Sequence, residues 1–304
     1  MKALILLIIS GILAAGVFIA GKHAASTELS PLLILFWQMS GGALVVFIVS
    51  WPLRRFPVWN LEHVRYYLLG GLLGVSIPYV LAFMVLQTLQ VGTVGLLTAL
   101  SPVVTYAMAR LLGVEQGHPL RLLGLITGLA GVMFLLTPGD SLELTDNWTY
   151  MLLALGIPVS LAASNIYRGR YWPAGADAIP LVTGMLAVQA VWLLIVNIAL
   201  GNFNQLVTVN AQNNSWLLMA IALLAGTSYL SSFNLLRVGG PVYLSQMGYV
   251  ITAVTMLYGI WFWNEAYDGH DLLSIGLIFS GVLMTTLTNM VRPEKQTLTV
   301  GVDR

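Results

Sequence analysis

The sequence predicts an all-α polytopic membrane protein, with ten transmembrane helices in an inverted 5+5 repeat and both termini cytoplasmic. Three observations predict it. First, the chain is 58% hydrophobic and only 8% charged, against roughly 25% charged in a soluble domain. A soluble fold of 304 residues needs charge to cover its surface, so lipid is the solvent for most of this chain. Second, apolar runs of crossing length recur from one end to the other. Third, the two halves share a sequence pattern at a shift of about half the chain. The net charge of +1 gives no footprint for a nucleic-acid partner. The absence of cysteine excludes disulfides, iron–sulfur clusters and thiol catalysis.

The first run, 3–21, follows Met1-Lys2 and is the one segment that resembles a secretory leader. Its 19 residues exceed the usual apolar region of about 7–15. It ends in "GKHAAS" without an A-x-A site, so it is expected to stay as an uncleaved first helix. A crossing helix needs about 20 apolar residues. Such runs continue at 32–51, 66–88, 91–112, 120–137, 149–167, 179–200, 215–236, 241–263 and 272–291. Polar or turn-rich segments separate them, among them "WPLRRFPVWN", "TPGDSLELTDN" and "GNFNQLVTVNAQNNS".

Basic residues near helix ends mark the cytoplasmic side. With the N-terminus inside, that side carries Lys2, Arg54, Arg55, Arg65, Arg110, Arg121, Arg168, Arg170, Arg237, Arg292, Lys295 and Arg304. The outer side carries Lys22 alone, and an error of one helix would scramble this split. Outer loops are acidic, with Asp140, Glu143 and Asp146 in one and Glu265, Asp268 and Asp271 in another. Trp51, Trp148, Trp172 and Trp263 near span ends fit interfacial anchors.

A shift of 147 lays Leu89, Val91, Gly92 and Leu97 on Leu236, Val238, Gly239 and Leu244, and Leu86 and Gln87 on Phe233 and Asn234. A shift of 150 lays Glu115 on Glu265, Leu122-Leu123 on Leu272-Leu273, and Gly131-Val132 on Gly281-Val282. Each half holds an odd number of helices, so the halves sit upside-down relative to each other. The predicted units are residues 1–138, the first repeat, 149–291, the inverted second repeat, and a cytoplasmic tail, 292–304. Inverted repeats are a transporter device that holds substrate between halves near mid-membrane.

These residues resemble a family, the ten-helix EamA-type branch of the drug/metabolite transporter superfamily, over nearly the whole chain. Phe18 and Lys22 match the family's first helix, Pro102 and Glu115 its fourth, and Gly124 and Gly131 the following glycine pair. Glu265 and Gly281 match in the second half, where Thr252 and Ser274 replace a proline and a glycine. Gln38 and Ala14 depart from the arginine and tryptophan common in the second and first helices. The resemblance implies a secondary carrier of small organic metabolites or drugs, often an exporter, with a central cavity.

Polar groups in apolar helices are costly unless they face protein or water, so they mark candidate sites. Thr98, Ser101 and Thr105 fall on one helical face, as do Ser245, Tyr249 and Thr252. The 147 shift pairs Thr98 with Ser245 and Thr105 with Thr252. Two such stripes facing one cavity give a hydrogen-bonding site, with Tyr79 and Tyr229 as aromatic walls. The bland alternative is that each hydroxyl bonds back to its own helix or a neighbour. Pro78, Pro102 and Pro158 lie inside predicted spans, where proline frees a carbonyl of the previous turn. Gly70-x-x-x-Gly74 and Gly124-x-x-x-Gly128 fit close helix packing.

Lys22 is a candidate for a substrate carboxylate, and Glu115 and Glu265 for protons. Snorkelling or helix capping is the competing reading of all three. No Asp or Glu falls at mid-membrane, which favours a neutral or zwitterionic solute over a proton-swapped cation. "GVFIAGKH" fits a phosphate-loop spacing but has His23 in place of Ser/Thr and lies in a membrane helix. His23, His63, His118 and His270 lack metal-ligand spacing. Asn147-Trp-Thr and Asn213-Asn-Ser are treated as chance glycosylation triplets.

The expected function is therefore a multi-pass carrier of the bacterial plasma membrane that exports amino acids or related metabolites by alternating access. It is expected to be no enzyme and to need no cofactor or metal. Its partners are the bilayer and the solute, with proton or exchange coupling left open. The alternatives are a multidrug or amine carrier of the same fold, or an intramembrane lipid-modifying enzyme, for which no His/Asp/Glu cluster is found.

Overall fold

An apolar segment in lipid satisfies its backbone only within itself, which favours helix. The computed structural model describes residues 2–25, 29–113, 119–135, 148–202 and 215–291, and among them finds helices and no strand. In order these are α1 (Lys2–Ala25), α2 (Pro31–Ser50), α3 (Leu61–Gly71), α4 (Ile77–Val85), α5 (Val91–Thr98) and α6 (Ser101–Leu111). There follow α7 (Pro119–Leu135), α8 (Trp148–Arg170), α9 (Ala178–Ala199), α10 (Ser215–Ser245), α11 (Met247–Phe262) and α12 (Gly269–Val291). Among the described residues 7 stretches are long and apolar enough to cross a membrane. They are Ala3–Ala24, Pro31–Ser50, Leu61–Val85, Val91–Leu111, Trp148–Arg170, Ala178–Ala199 and Ser215–Pro241. The predicted runs 120–137 and 272–291 coincide with α7 and α12, whose apolar stretches Leu122–Gly131 and Leu272–Gly281 are shorter. The run 241–263 spans the last turn of α10 and all of α11. Glu115, His118, the acidic loop with Asp140, Glu143 and Asp146, Asn147, Asn213 and the tail 292–304 lie outside the described residues.

Where the helices break, a local cause is visible. Pro78 has no N–H to offer, and a single π turn, Leu72–Ser76, separates α3 from α4 just before it. Ser160 Oγ donates to Leu73 O at 2.6 Å and Ser164 Oγ to Gly70 O at 3.1 Å, from the facing α8. Gln189 of α9 donates to Tyr67 O and Leu68 O, each at 3.2 Å, and accepts from Ser76 Oγ at 2.6 Å. The α5–α6 break at Ala99 and Leu100 precedes Pro102 in the same way. Within α10, Gly240 adopts φ 75°, ψ 177° immediately before Pro241. That conformation is open essentially to glycine alone, so the predicted turn between the eighth and ninth runs falls on this residue. Pro158, by contrast, sits inside an unbroken α8.

The helices pack in a defined set of neighbours. The α7 helix packs on α12, α2 on α9, and α5 on α11. The α1 helix contacts α10 and α11, while α8 contacts the α3–α4 run and the α5–α6 run. The α2 helix also contacts α10, and α9 contacts α3. A side chain at Gly281 would collide with the backbone of Gly124 and Gly128, so α7 and α12 meet almost backbone to backbone.

Two ends of the bundle are tied by charge. At one, Asp177 pairs with Arg55 at 3.3 Å and with Arg237 at 2.8 Å, joining the α2–α3 and α8–α9 connections to α10. At the other, Lys22, the α4–α5 turn and Glu265 meet. Between them the exposed surface is apolar, as at Ile5, Ile9, Ile12, Val191, Ile195 and Leu223. The polar groups Ser10, Gln38, Thr105, Gln189, Asn197 and Thr252 are buried instead. That inside-out distribution fits a lipid solvent.

Candidate functional site: a polar cavity between the helices

The breaks and small residues leave a cavity of about 80 Å³ where α1, α4, α5, α8, α10 and α11 converge. That is room for several waters or a small solute. Phe18 of α1 and Tyr79 of α4 stack at 5.5 Å, and Tyr79 lies 6.4 Å from the ring of Tyr229. These rings form one wall. Thr98, Ser101, Ser228, Ser232 and Ser245 supply hydroxyls, and Gly74, Pro78 and Gly248 keep the backbone close. Asn165 and Arg168 of α8 complete the lining.

The hydroxyl protons are largely spoken for. Thr98 Oγ1 donates to Val94 O at 2.8 Å and Ser101 Oγ to Thr98 O at 2.7 Å. Ser232 Oγ donates to Tyr229 O at 3.0 Å. With protons turned to the backbone, these oxygens offer lone pairs to the cavity. These three hydroxyls therefore accept hydrogen bonds from a solute more readily than they donate them.

Of the residues singled out in the sequence, Tyr79, Thr98, Ser101, Tyr229 and Ser245 are brought together on the cavity. Thr105, Tyr249, Thr252 and Lys22 are not among its lining residues. Thr105 Oγ1 bonds Ser101 O at 2.6 Å. Thr252 Oγ1 bonds Gly95 O at 2.6 Å and Gly248 O at 2.8 Å, fastening α11 to α5. Tyr249 packs against Phe279 at 6.3 Å. Lys22 Nζ donates to Leu86 O at 2.7 Å and Leu89 O at 2.8 Å, carbonyls of the C-cap and turn that follow α4, and lies 5.6 Å from the Trp263 ring. Glu265 caps the start of α5, accepting from Val91 N at 2.9 Å and Gly92 N at 3.2 Å, with Tyr267 Oη donating at 2.7 Å. A cation at a helix C-terminus and an anion at the next N-terminus both oppose the backbone dipole, so the pair clamps the α4–α5 turn.

Arg168, expected among the cytoplasmic-side charges, is buried. It is only 4% exposed and borders the cavity. Its Nη2 donates to Asn165 Oδ1 at 3.0 Å, and its guanidinium lies 5.1 Å from the Phe233 ring. Its Nε has no hydrogen-bond partner. No carboxylate among the described residues pairs with it. The signal was present in the sequence: Ile157, Leu161, Asn165 and Arg168 follow helical spacing on one face, and that face carries the polar pair.

Helices packed around a polar, solute-sized cavity inside an apolar exterior make a polytopic membrane protein with an internal cavity. Residues 1–137 match the EamA-like transporter family. Protein PecM of Dickeya dadantii (strain 3937) is 24% identical over 224 residues, 72% of each chain. The uncharacterized transporter YvbV of Bacillus subtilis (strain 168) is 24% identical over 286 residues, 93% of this chain and 90% of its own. A crystal structure 18% identical in sequence superposes with a TM-score of 0.64 over 94% of this chain and 97% of that one, which shows the shared fold. The chain is thus a multi-pass membrane protein with transporter relatives.

Proposed function

We propose that the chain is a secondary carrier of the bacterial plasma membrane that exports small polar organic metabolites by alternating access. In this reading α7, α11 and α12 join the long apolar stretches to give ten spans. Both termini face the cytoplasm, and residues 1–138 and 149–291 are inverted repeats. Tyr79, Thr98, Ser101, Tyr229 and Ser245 form the solute site.

One observation carries the proposal: the main packing neighbours exchange when each span is swapped for the one five further along. The pairs α2–α9, α5–α11 and α7–α12 map onto themselves. The contacts of α1 with α10 and α11 map onto those of α8 with α3–α4 and α5–α6. The contact of α2 with α10 maps onto that of α9 with α3. The helix breaks correspond too, since a shift of 147 lays Ala99 on Gln246, beside the break between α10 and α11. The cavity then sits where the two halves meet, bounded by discontinuous helices from each, as carriers place their sites.

The test is counterflow in proteoliposomes holding the purified chain, over a panel of amino acids, hydroxy acids, amines and amphipathic drugs. Accumulation of one solute class against a preloaded unlabelled pool is expected. Absence of counterflow for every class would reject the carrier reading.

A further inference from the structure

We infer that Arg168 is the receptor for a carboxylate, and that the carried solute is a small organic monoanion bearing a hydrogen-bond donor. This rests on the carrier reading above and names its substrate class.

A guanidinium keeps its proton in any protein environment, so Arg168 cannot escape burial by becoming neutral. Placed within the membrane-crossing α8 at 4% exposure, it needs a counter-charge, water or a pathway to solvent. Asn165 Oδ1 meets one donor and the Phe233 ring offers its face. No described carboxylate meets the charge, and none lines the cavity.

Lys22 and Arg168 both lie near the C-terminal ends of the first helices of the proposed repeats. Lys22 is satisfied by Leu86 O and Leu89 O. The 147 shift lays Leu86 on Phe233, whose ring faces Arg168. In one half the cation closes a helix end. In the other it keeps open donors beside the cavity.

The number of charges selects the ligand. In a low-dielectric site one buried cation is neutralised by one negative charge. A monocarboxylate leaves the occupied site neutral, and its two oxygens suit the planar guanidinium fork. A zwitterion leaves a net positive charge there, a dicarboxylate a negative one, and an amine adds repulsion. The acceptor oxygens of Thr98, Ser101 and Ser232 favour a solute that donates, such as a hydroxy acid. The Phe18, Tyr79 and Tyr229 rings receive its carbon skeleton. The sequence expectation of a neutral or zwitterionic solute rested on the lack of Asp or Glu at mid-membrane and took no account of a buried cation; the burial of Arg168 moves the expectation to a monoanion.

The experiment uses the purified full-length chain with matched probes: glycolate, lactate and mandelate, the corresponding amides, alanine, malate and inorganic phosphate. Thermal unfolding in detergent reads binding without requiring transport, and counterflow in proteoliposomes reads transport. The monocarboxylates are expected to raise the unfolding midpoint and to exchange, while their amides do neither. Arg168→Gln should weaken the carboxylate response roughly ten- to hundredfold, the scale of a charge-assisted pair. Arg168→Lys should restore part of it. The inference is overturned if amide and acid act alike on the wild type, if alanine, malate or phosphate acts in place of the monocarboxylates, or if Arg168→Gln keeps the preference for acid over amide. Counterflow of a neutral solute or an amine unaffected by Arg168→Gln would overturn this inference and leave the carrier reading standing. Midpoint shifts by carboxylates without counterflow of any solute would do the reverse.

Discussion

At the scale of single residues, the cleanest contrast is between charges that hold the fold and a charge with open donors. Glu265 bonds two backbone N–H groups and a tyrosine hydroxyl, which is what an N-terminal cap does. Removing such a cap costs about 1 kcal/mol. Glu265→Ala is therefore expected to lower the unfolding midpoint in detergent, and Glu265→Gln, which keeps an acceptor, to lower it less. Counterflow by Glu265→Gln should persist. A variant with an unchanged midpoint but no proton-driven uptake would instead make Glu265 a proton site. Residue chemistry was only partly legible in the sequence. Tyr79, Thr98, Ser101, Tyr229 and Ser245 line the cavity, as costly polar groups in apolar helices mark interior faces. Thr105 shares the face of Thr98 but lies about 10 Å further along a helix rising 1.5 Å per residue, past the cavity's reach. Thr252 fastens α11 to α5 instead. Arg168 was missed because a count of charges by sidedness assumes that every arginine near a helix end reaches water.

At the scale of elements, proline positions predicted where helices deviate but not how. Pro78 and Pro102 follow breaks, while Pro158 is absorbed into α8. The difference lies in neighbours: the carbonyls around the π turn find donors in Ser160, Ser164 and Gln189, which no local pattern around Pro78 reveals. Those donors come from α8 and α9, so the irregular run is stable only because other helices complete it. Replacing Ser160 and Ser164 together with alanine leaves Leu73 O and Gly70 O without these donors. Hydrogen bonds between membrane helices average about 0.6 kcal/mol and reach about 1.7. The double variant is therefore expected to lose about 1–3 kcal/mol, read as a lower unfolding midpoint, with each single variant losing about half. An unchanged midpoint in the double variant would mean that water or a rearranged backbone satisfies the carbonyls equally well.

At the scale of the whole molecule, the proposed inverted repeat makes a statement about sides that can be checked directly. The Arg55–Asp177–Arg237 cluster and the Lys22–Glu265 clamp lie at opposite ends of the spans. The positive-inside rule assigns the first end to the cytoplasm. The chain contains no cysteine, so single cysteines report on sidedness without removal of any native thiol. Leu53, in the connection carrying Arg55, and Asn264, beside Glu265, are respectively 51% exposed and exposed. In intact cells a membrane-impermeant maleimide is expected to label Asn264→Cys and to spare Leu53→Cys until the membrane is permeabilised. The reverse pattern would turn the molecule over without changing its fold. Labelling of both from one side would break the alternation of spans, and with it the repeat. If the expected pattern holds, the cavity is bounded by one helical run from each orientation, α5–α6 entering from the outer end and the α10–α11 break from the inner. Two halves that share a site but face opposite ways can open it to either side by the same relative motion, which is why the repeat and the alternating-access mechanism stand or fall together.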